Sequence, residues 1–116
     1  MRIVISAGPT REAIDPVRFI TNRSTGKMGY AIAEAARDMG LEVVLVSGPV
    51  TLTPPDNIKV VAVESAAEMA EAMRNASETA DMIVMTAAVA DYRPKVYSSS
   101  KIKKSDDDLF IELERT

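Results

Sequence analysis

Four short apolar runs recur along the chain, at residues 2–6, 43–47, 58–63 and 82–86. Each run is rich in Val, Ile, Leu or Met, and glycine or proline stands close to the first three. Short apolar runs bounded in this way are typical of strands that are buried on both faces. The pattern therefore predicts four buried strands, as in a parallel sheet that is covered on both sides.

Two stretches with helical periodicity lie between these runs. The first, residues 26–39, ends at Gly40, which suits a helix C-cap. It is predicted to bury one stripe made of Met28, Ile32, Ala35, Ala36 and Met39. The second opens on the capping box Ser65-Ala66-Ala67-Glu68, and its predicted buried face consists of Met69, Ala72, Met73 and Ala76. Residues 48–57 form a proline-rich link that has no helical pattern.

The alternation of strands and helices indicates the fold class. It favours a parallel sheet joined by crossover connections. We therefore expect an α/β protein, a Rossmann-like three-layer fold with a mainly parallel sheet. Residues 1–116 are expected to form one nucleotide-binding domain. Because no helix concludes the pattern after residue 113, we expect that domain to be incomplete in this chain.

The last quarter of the chain has a different pattern. Residues 98–100 are all serine, residues 101–104 read Lys-Ile-Lys-Lys, and residues 106–108 are all aspartate. A strand-like alternation resumes only at residues 109–113. A stretch without periodicity inside a compact domain is usually a functional loop. We therefore predict a flexible loop around residues 94–108.

Composition excludes several kinds of chemistry within this segment. The chain has neither cysteine nor histidine, which excludes a thiol nucleophile, a Ser-His-Asp triad and zinc sites built on those ligands. A formal net charge of −3 argues against general nucleic-acid binding. No apolar run approaches the ~20 residues of a membrane span. We expect no nucleic-acid partner, no membrane contact and a cytoplasmic location.

The first candidate site is the turn Gly8-Pro9-Thr10, directly after the first predicted strand. Ligands of open α/β sheets bind beyond the carboxyl ends of the strands, and a small-residue turn lets backbone N–H groups approach phosphate. A purely structural turn remains an equally open interpretation. No G-x-G-x-x-G follows the strand, and the second strand ends in Val46-Ser47-Gly48 without the acidic residue that binds ribose in NAD enzymes. A P-loop is also absent.

Three further segments carry polar groups. Asn22 precedes the first helix, and a carboxamide can both donate to an oxyanion and accept from an amine; Ser24 or Thr25 can cap that helix. Ala87-Ala88 follows the fourth strand, and Asp91 behind it can accept from a ribose, a base or an amine. The cations that suit a polyphosphate in a mobile loop are Lys101, Lys103 and Lys104. Simple capping, an ordinary turn and a solvated surface neutralised by residues 106–108 remain open for these segments.

Five segments together resemble a known family. They are GPTRE at residues 8–12, DPVR at 15–18, NRSTGKMG at 22–29, AAVADY at 87–92 and KIKK at 101–104. Their order resembles phosphopantothenoylcysteine synthetase, the carboxy-terminal half of the bacterial bifunctional coenzyme A biosynthesis flavoprotein. The family often has a second glycine where this chain has Pro9, and its domain continues well past residue 116.

The resemblance implies a CTP-dependent ligation of 4'-phosphopantothenate with cysteine through an acyl-cytidylate. It implies that Asn22 contacts the acyl-cytidylate and Lys101 the nucleotide. Asp91 and the backbone of Ala87-Ala88 would lie along CTP, with Gly8-Pro9-Thr10 near the phosphates. It further implies Mg²⁺ with the triphosphate, a homodimer in the full domain, and FMN only where a decarboxylase domain precedes.

Two alternatives stay open at this point. One is an NAD(P)-dependent oxidoreductase with a divergent Rossmann half, and the missing glycine fingerprint counts against it. The other is a non-catalytic nucleotide-binding fragment, which agrees with a short chain that offers no obvious general base.

Overall fold

The computed structural model describes all residues from Met1 to Thr116 and contains two helices and eight strands. In chain order they are β1 (Arg2–Ala7), β2 (Arg11–Ala13), β3 (Phe19–Thr21), α1 (Lys27–Asp38), β4 (Glu42–Ser47), β5 (Lys59–Ala62), α2 (Ala66–Ser77), β6 (Met82–Met85), β7 (Tyr92–Pro94) and β8 (Leu113–Arg115).

The central sheet has four strands in the order β5-β4-β1-β6, and all three pairings are parallel. Neighbouring residues of β1 face opposite sides of this sheet. Ile5 belongs to the apolar cluster that contains residues of α1, whereas Val4 belongs to the cluster that contains Met69 of α2. The two helices therefore cover opposite faces, and β4 joins β5 without a helix. The predicted three-layer, Rossmann-like fold is confirmed.

The prediction for the buried stripe of α1 was right for Ala36, which is buried, and for Ile32, which is partly buried against the core, but wrong for the other three residues. Met28 and Met39 are 71% and 78% exposed, and Ala35 is exposed as well. Besides Ala36, the buried residues of α1 are Gly29, Tyr30 and Ala33, which were not predicted. Small side chains let the helix axis approach β1 more closely than methionines would allow, so close packing decided the face rather than hydrophobicity.

The prediction for α2 is confirmed. The hydroxyl of Ser65 accepts from the N–H of Glu68 at 3.1 Å, as a capping box requires. The Glu68 carboxylate accepts from the N–H of Glu64 at 2.8 Å, one residue before the expected partner. Met69 is buried, and the partly buried residues packed behind it are Ala72, Met73 and Ala76.

The edges of the molecule differ from the predictions. β6 is an edge strand with exposed Met82, Ile83 and Met85, so it is not buried on both faces. Two antiparallel pairs, β2–β3 and β7–β8, were not predicted. The alternation at residues 109–113 forms a strand only from Leu113 onwards. Residues 95–112 contain no helix or strand, and the molecule is elongated, with extents of 58 × 26 × 19 Å.

Candidate functional site

The candidate site lies at the carboxyl ends of β1 and β6. The chain leaves β1 for β4 on one side and returns to β6 on the other, and ligands of open α/β sheets bind at such a switch point. Backbone hydrogen bonds join the two loops that follow these strands. The N–H of Ala88 donates to the carbonyl of Gly8 at 2.9 Å, and the N–H of Thr10 donates to that of Ala88 at 3.3 Å. Pro9 and Ala88 form an isolated parallel bridge.

Thr10 connects these loops through its side chain. It is fully buried, and its hydroxyl oxygen accepts from the N–H of Ala90 at 2.9 Å. Its carbonyl accepts from the hydroxyl of Thr21 at 2.7 Å. Since its side chain is turned into the protein, Thr10 orders the two loops, and Gly8, Pro9 and Thr10 are all buried.

Asn22 reaches the same place from the end of β3. Its Nδ2 donates to the carbonyl oxygen of Ala88 at 3.0 Å. A carbonyl oxygen only accepts, so this bond fixes the orientation of the carboxamide. The Oδ1 atom of the exposed side chain is left free to accept from an amine or an alcohol. The structure thus brings together Gly8, Pro9, Thr10, Asn22, Ala87 and Ala88.

The amino end of α1 lies beside this cluster. Its N-cap is Gly26, which is in the left-handed conformation and has no side chain to cap the helix. Of the two predicted caps, Ser24 makes no such bond, whereas the hydroxyl of Thr25 accepts from the N–H of Lys27 at the long distance of 3.5 Å. A Cβ at Gly26 would lie 3.5 Å from the Cα of Gly8. Uncapped N–H groups and the positive end of the helix dipole favour an anion here.

The predicted cations lie farther away. Lys101, Lys103 and Lys104 are exposed, and none forms an ion pair with a carboxylate within 4.0 Å, the three aspartates included. Their segment is attached at Arg18, whose Nη1 donates to the carbonyl of Ile102 at 3.1 Å. Asn22 lies four residues beyond Arg18 along an extended segment, which corresponds to roughly 13 Å.

Asp91 is exposed, and its carboxylate makes no hydrogen bond within the chain. Only its backbone carbonyl has a partner, the N–H of Thr116 at 3.0 Å. The carboxylate therefore has no partner within the chain. The structure does not bring it into contact with Asn22 or with the lysines.

Two buried carboxylates were missed from the sequence. Glu12 is 4% exposed, and its Oε2 accepts from the N–H of Ala66 at 3.0 Å, so it lies at the amino end of α2. Asp15 is 2% exposed. The N–H of Ile102 is the main cause of a pKa below the ordinary 3.8 for Asp15; N–H groups of its own turn and the Arg18 guanidinium also lower it, while burial opposes them.

The end of β4 does not resemble a dinucleotide site. The hydroxyl of Ser47 pairs with that of Tyr30 at 2.8 Å, and no carboxylate follows it. A Cβ at Gly48 would overlap the carbonyl oxygen of Pro9, so the turn after β1 lies across this strand end. The arrangement leaves no acidic group there to bind a ribose, which NAD enzymes of this fold use.

Neither a resident metal centre nor a membrane helix is found. No three acidic side chains lie close enough to hold a metal ion. Neither helix is long and apolar enough to cross a bilayer.

Comparisons with known proteins cover the whole chain. Residues 1–116 match the family described as DNA/pantothenate metabolism flavoprotein C-terminal domain. The chain is 54% identical to the coenzyme A biosynthesis bifunctional protein CoaBC of Bacillus subtilis, over 98% of this chain and 28% of that protein. It therefore spans about a quarter of the curated relatives that it matches.

Comparison with solved structures leads to the same family. The chain is similar to a crystal structure of the C-terminal domain of CoaBC, with 56% identity and a TM-score of 0.85 over 99% of this chain and 53% of that one. It also resembles the DNA/pantothenate metabolism flavoprotein of Streptococcus pneumoniae, with 28% identity and a TM-score of 0.87 over 100% of this chain and 60% of that one.

Proposed function

The chain belongs to the DNA/pantothenate metabolism flavoprotein C-terminal domain family, and from that premise we propose that it carries part of the site that joins 4'-phosphopantothenate to cysteine at the expense of CTP. The named relatives act in coenzyme A biosynthesis, which supports this assignment. The observation that carries the proposal is the bond from Asn22 Nδ2 to the Ala88 carbonyl. It places a free carboxamide oxygen at the switch point of the sheet.

In the first step, a carboxylate oxygen of 4'-phosphopantothenate attacks the α-phosphorus of CTP. The bond to the β-phosphate breaks, pyrophosphate leaves, and an acyl-cytidylate remains. We assign phosphate binding to the amino end of α1, beside the turn at Gly8-Pro9, where the N–H groups of the helix and its dipole stabilise negative charge. The backbone of Ala87-Ala88 and the carboxylate of Asp91 would lie along the nucleotide. Lys101, Lys103 and Lys104 would meet its phosphates from the loop.

In the second step, the amine of cysteine attacks the acyl carbon. The new C–N bond forms, the bond to the phosphate oxygen breaks, CMP leaves, and the amine gives up a proton. The free Oδ1 of Asn22 can accept a hydrogen bond from the incoming amine and orient it. The chemistry needs neither histidine nor cysteine in the protein, because CTP has already activated the carboxylate.

Mg²⁺ would come to this site with the triphosphate rather than bind a protein cage. The residues present do not supply a ligand set, so no step is assigned to it. FMN would belong to a preceding decarboxylase domain, and no residue of this chain is assigned to it.

We also propose a homodimer in the cytoplasm. The arm formed by residues 95–112 supports association, because Val96, Leu109 and Phe110 are 79%, 61% and 89% exposed. Exposed apolar side chains clustered on a projecting segment are typical of a surface that another chain covers.

The two alternatives make different predictions. An NAD(P)-dependent oxidoreductase is disfavoured because the turn after β1 lies across the end of β4, where no carboxylate is present to bind a ribose. A nucleotide-binding module without catalysis would bind CTP and release no pyrophosphate. Calorimetric titration with CTP, ATP and NADP⁺ separates the oxidoreductase from the synthetase, and an assay of pyrophosphate release with CTP and 4'-phosphopantothenate separates the non-catalytic module from it. We expect selective CTP binding; binding of NADP⁺ alone would favour the oxidoreductase, and no binding to any of them would refute a nucleotide site in this chain.

Asn22→Asp tests the assigned role directly. The new carboxylate would face the Ala88 carbonyl, lose the bond that orients it and bring negative charge to the site. We expect pyrophosphate release with CTP and 4'-phosphopantothenate to continue, while cysteine-dependent CMP release falls by about 100-fold, a loss typical of one preorganised group. Asn75→Asp on the exposed side of α2 is the matched control. Normal CMP release by the Asn22 variant would contradict the role.

A further inference from the structure

The buried carboxylate of Asp15 holds two distant parts of the chain together. Its Oδ1 accepts from the N–H groups of Val17 and Arg18 at 2.9 and 2.8 Å, which closes the turn between β2 and β3. Its Oδ2 accepts from the Arg18 guanidinium at 3.1 Å and from the N–H of Ile102 at 3.0 Å. The first three bonds are local, whereas the fourth reaches 87 residues along the sequence.

Arg18 completes the attachment. The Nη1 atom that binds Asp15 also donates to the carbonyl of Ile102 at 3.1 Å. Both backbone polar groups of Ile102 are therefore bound by one ion pair. A second tie lies nearby, where the N–H of Ser98 donates to the carbonyl of Ile14 at 3.0 Å. These contacts anchor a segment that has no helix or strand of its own.

The residues on either side of Ile102 are Lys101 and Lys103. Both are exposed and neither has a carboxylate partner within 4.0 Å. The Asp15 side chain has no exposed surface, so it cannot itself meet a ligand. Because its charge is matched by Arg18, the attachment adds little net charge of its own. The attachment instead controls the backbone position from which the side chains of Lys101 and Lys103 extend.

We propose that Asp15 is a positioning residue, which together with Arg18 fixes the backbone of Ile102 and so holds Lys101 and Lys103 for the phosphates of the bound nucleotide. This inference rests on the proposed function. A nucleoside triphosphate is an elongated polyanion, so one end can lie at Asn22 while the other meets the lysines. A segment that is already fixed at its centre loses less conformational freedom when the nucleotide binds.

Asp15→Asn separates the local role from the long-range one. The amide oxygen can keep the two N–H groups of the turn. The new NH₂ group then faces the Ile102 N–H and the Arg18 guanidinium, which are donors as well. We expect CTP to bind about tenfold more weakly, as for the loss of a hydrogen bond to a charged group. Trypsin should cleave faster after Lys101, Lys103 and Lys104.

The test combines CTP titration calorimetry with timed trypsin digestion of the whole polypeptide. Glu114→Gln is the matched control, because it removes a carboxylate that pairs with Arg93 at the base of the same arm; it should change neither readout. If Asp15→Asn does not fold, Arg18→Met removes the bond to the Ile102 carbonyl and the ion pair with Asp15 from a partly exposed position; it leaves the bond from the Ile102 N–H to Asp15 and should give the same two changes in weaker form.

The outcomes distinguish this inference from the proposed function. Suppose that the unsubstituted chain binds CTP and that Asp15→Asn binds it within twofold of that affinity, although trypsin cleaves the variant faster. This result would overturn the positioning role and leave the proposed function intact. An equal loss of affinity in Glu114→Gln would overturn it too. No CTP binding by the unsubstituted chain would overturn both.

Discussion

Gly29 lies where α1 crosses β1, and the structure predicts that Gly29→Ala is destabilising. A Cβ at this position would lie 2.5 Å from Oγ1 of Thr86 and closer still to the Cβ of Ala7. The methyl of Ala7 cannot rotate away. The hydroxyl of Thr86 is held by its bond to the carbonyl of Ser6 at 2.6 Å. The helix itself would therefore have to move.

The magnitude follows from two opposed terms. In an ordinary helix, Gly→Ala stabilises by about 1 kcal/mol. Overpacking a tight contact costs about 1–3 kcal/mol, and the upper part of that range applies because the neighbouring atoms are rigid. We expect a net loss of about 1–2 kcal/mol, which lowers Tm by roughly 4–8 °C at this chain length. The shift of α1 would also move Gly26 away from the turn after β1 and weaken CTP binding.

Thermal unfolding of single and double variants measures this effect. Ala7→Gly removes the methyl that Gly29→Ala would meet, so the double variant should be more stable than the sum of the singles by about 0.5–3 kcal/mol. Gly40→Ala is the matched control: Gly40 has φ +86° and nothing within 4 Å, so its strain should show no coupling to Ala7. A Tm for Gly29→Ala equal to or above that of the parent would refute the packing argument.

Three further predictions follow from single side chains. Lys101→Gln removes one exposed cation from the loop and should weaken the first step about fivefold or more; an unchanged rate of pyrophosphate release would contradict its assigned role. Glu12→Gln keeps an acceptor for the Ala66 N–H but loses the charge at the amino end of α2, and should cost about 1 kcal/mol in denaturant unfolding. A denaturant midpoint that Glu12→Gln leaves unchanged would exclude a stabilising interaction between Glu12 and the helix dipole of α2. Asp15 has a lowered pKa in the folded state, so its contribution to stability is complete above about pH 4 and is lost as the pH falls through the folded-state value. The stability difference between parent and Asp15→Asn should shrink below pH 4, and a difference that grows there would reverse the sign of this reasoning.

Local patterns in the sequence predicted a parallel sheet, the four segments that form its strands and the start of α2. The β-branched runs form β1 and β4 because such side chains fill a sheet covered on both faces. Ser65 and Glu68 cap α2 because the capping box acts within one turn. The segments around Gly8, Asn22 and Ala88 were each predicted separately, since small or polar residues after a strand are a local signal. Their roles as ligand contacts remain predictions.

Tertiary packing decided what local patterns could not. Met28 lies in the first turn of α1 and Met39 directly follows the helix, but both are exposed, and Gly29 and Ala33 face the core because their small size lets α1 pack closely on β1. Asp15 stands out in the sequence only as part of the DPVR segment, and no local pattern indicates its bond to the Ile102 N–H, because that bond spans 87 residues. The contact between Asn22 and Ala88 spans 66 residues. It exists because parallel pairing brings the ends of β1 and β6 together, and only the folded sheet places those ends side by side.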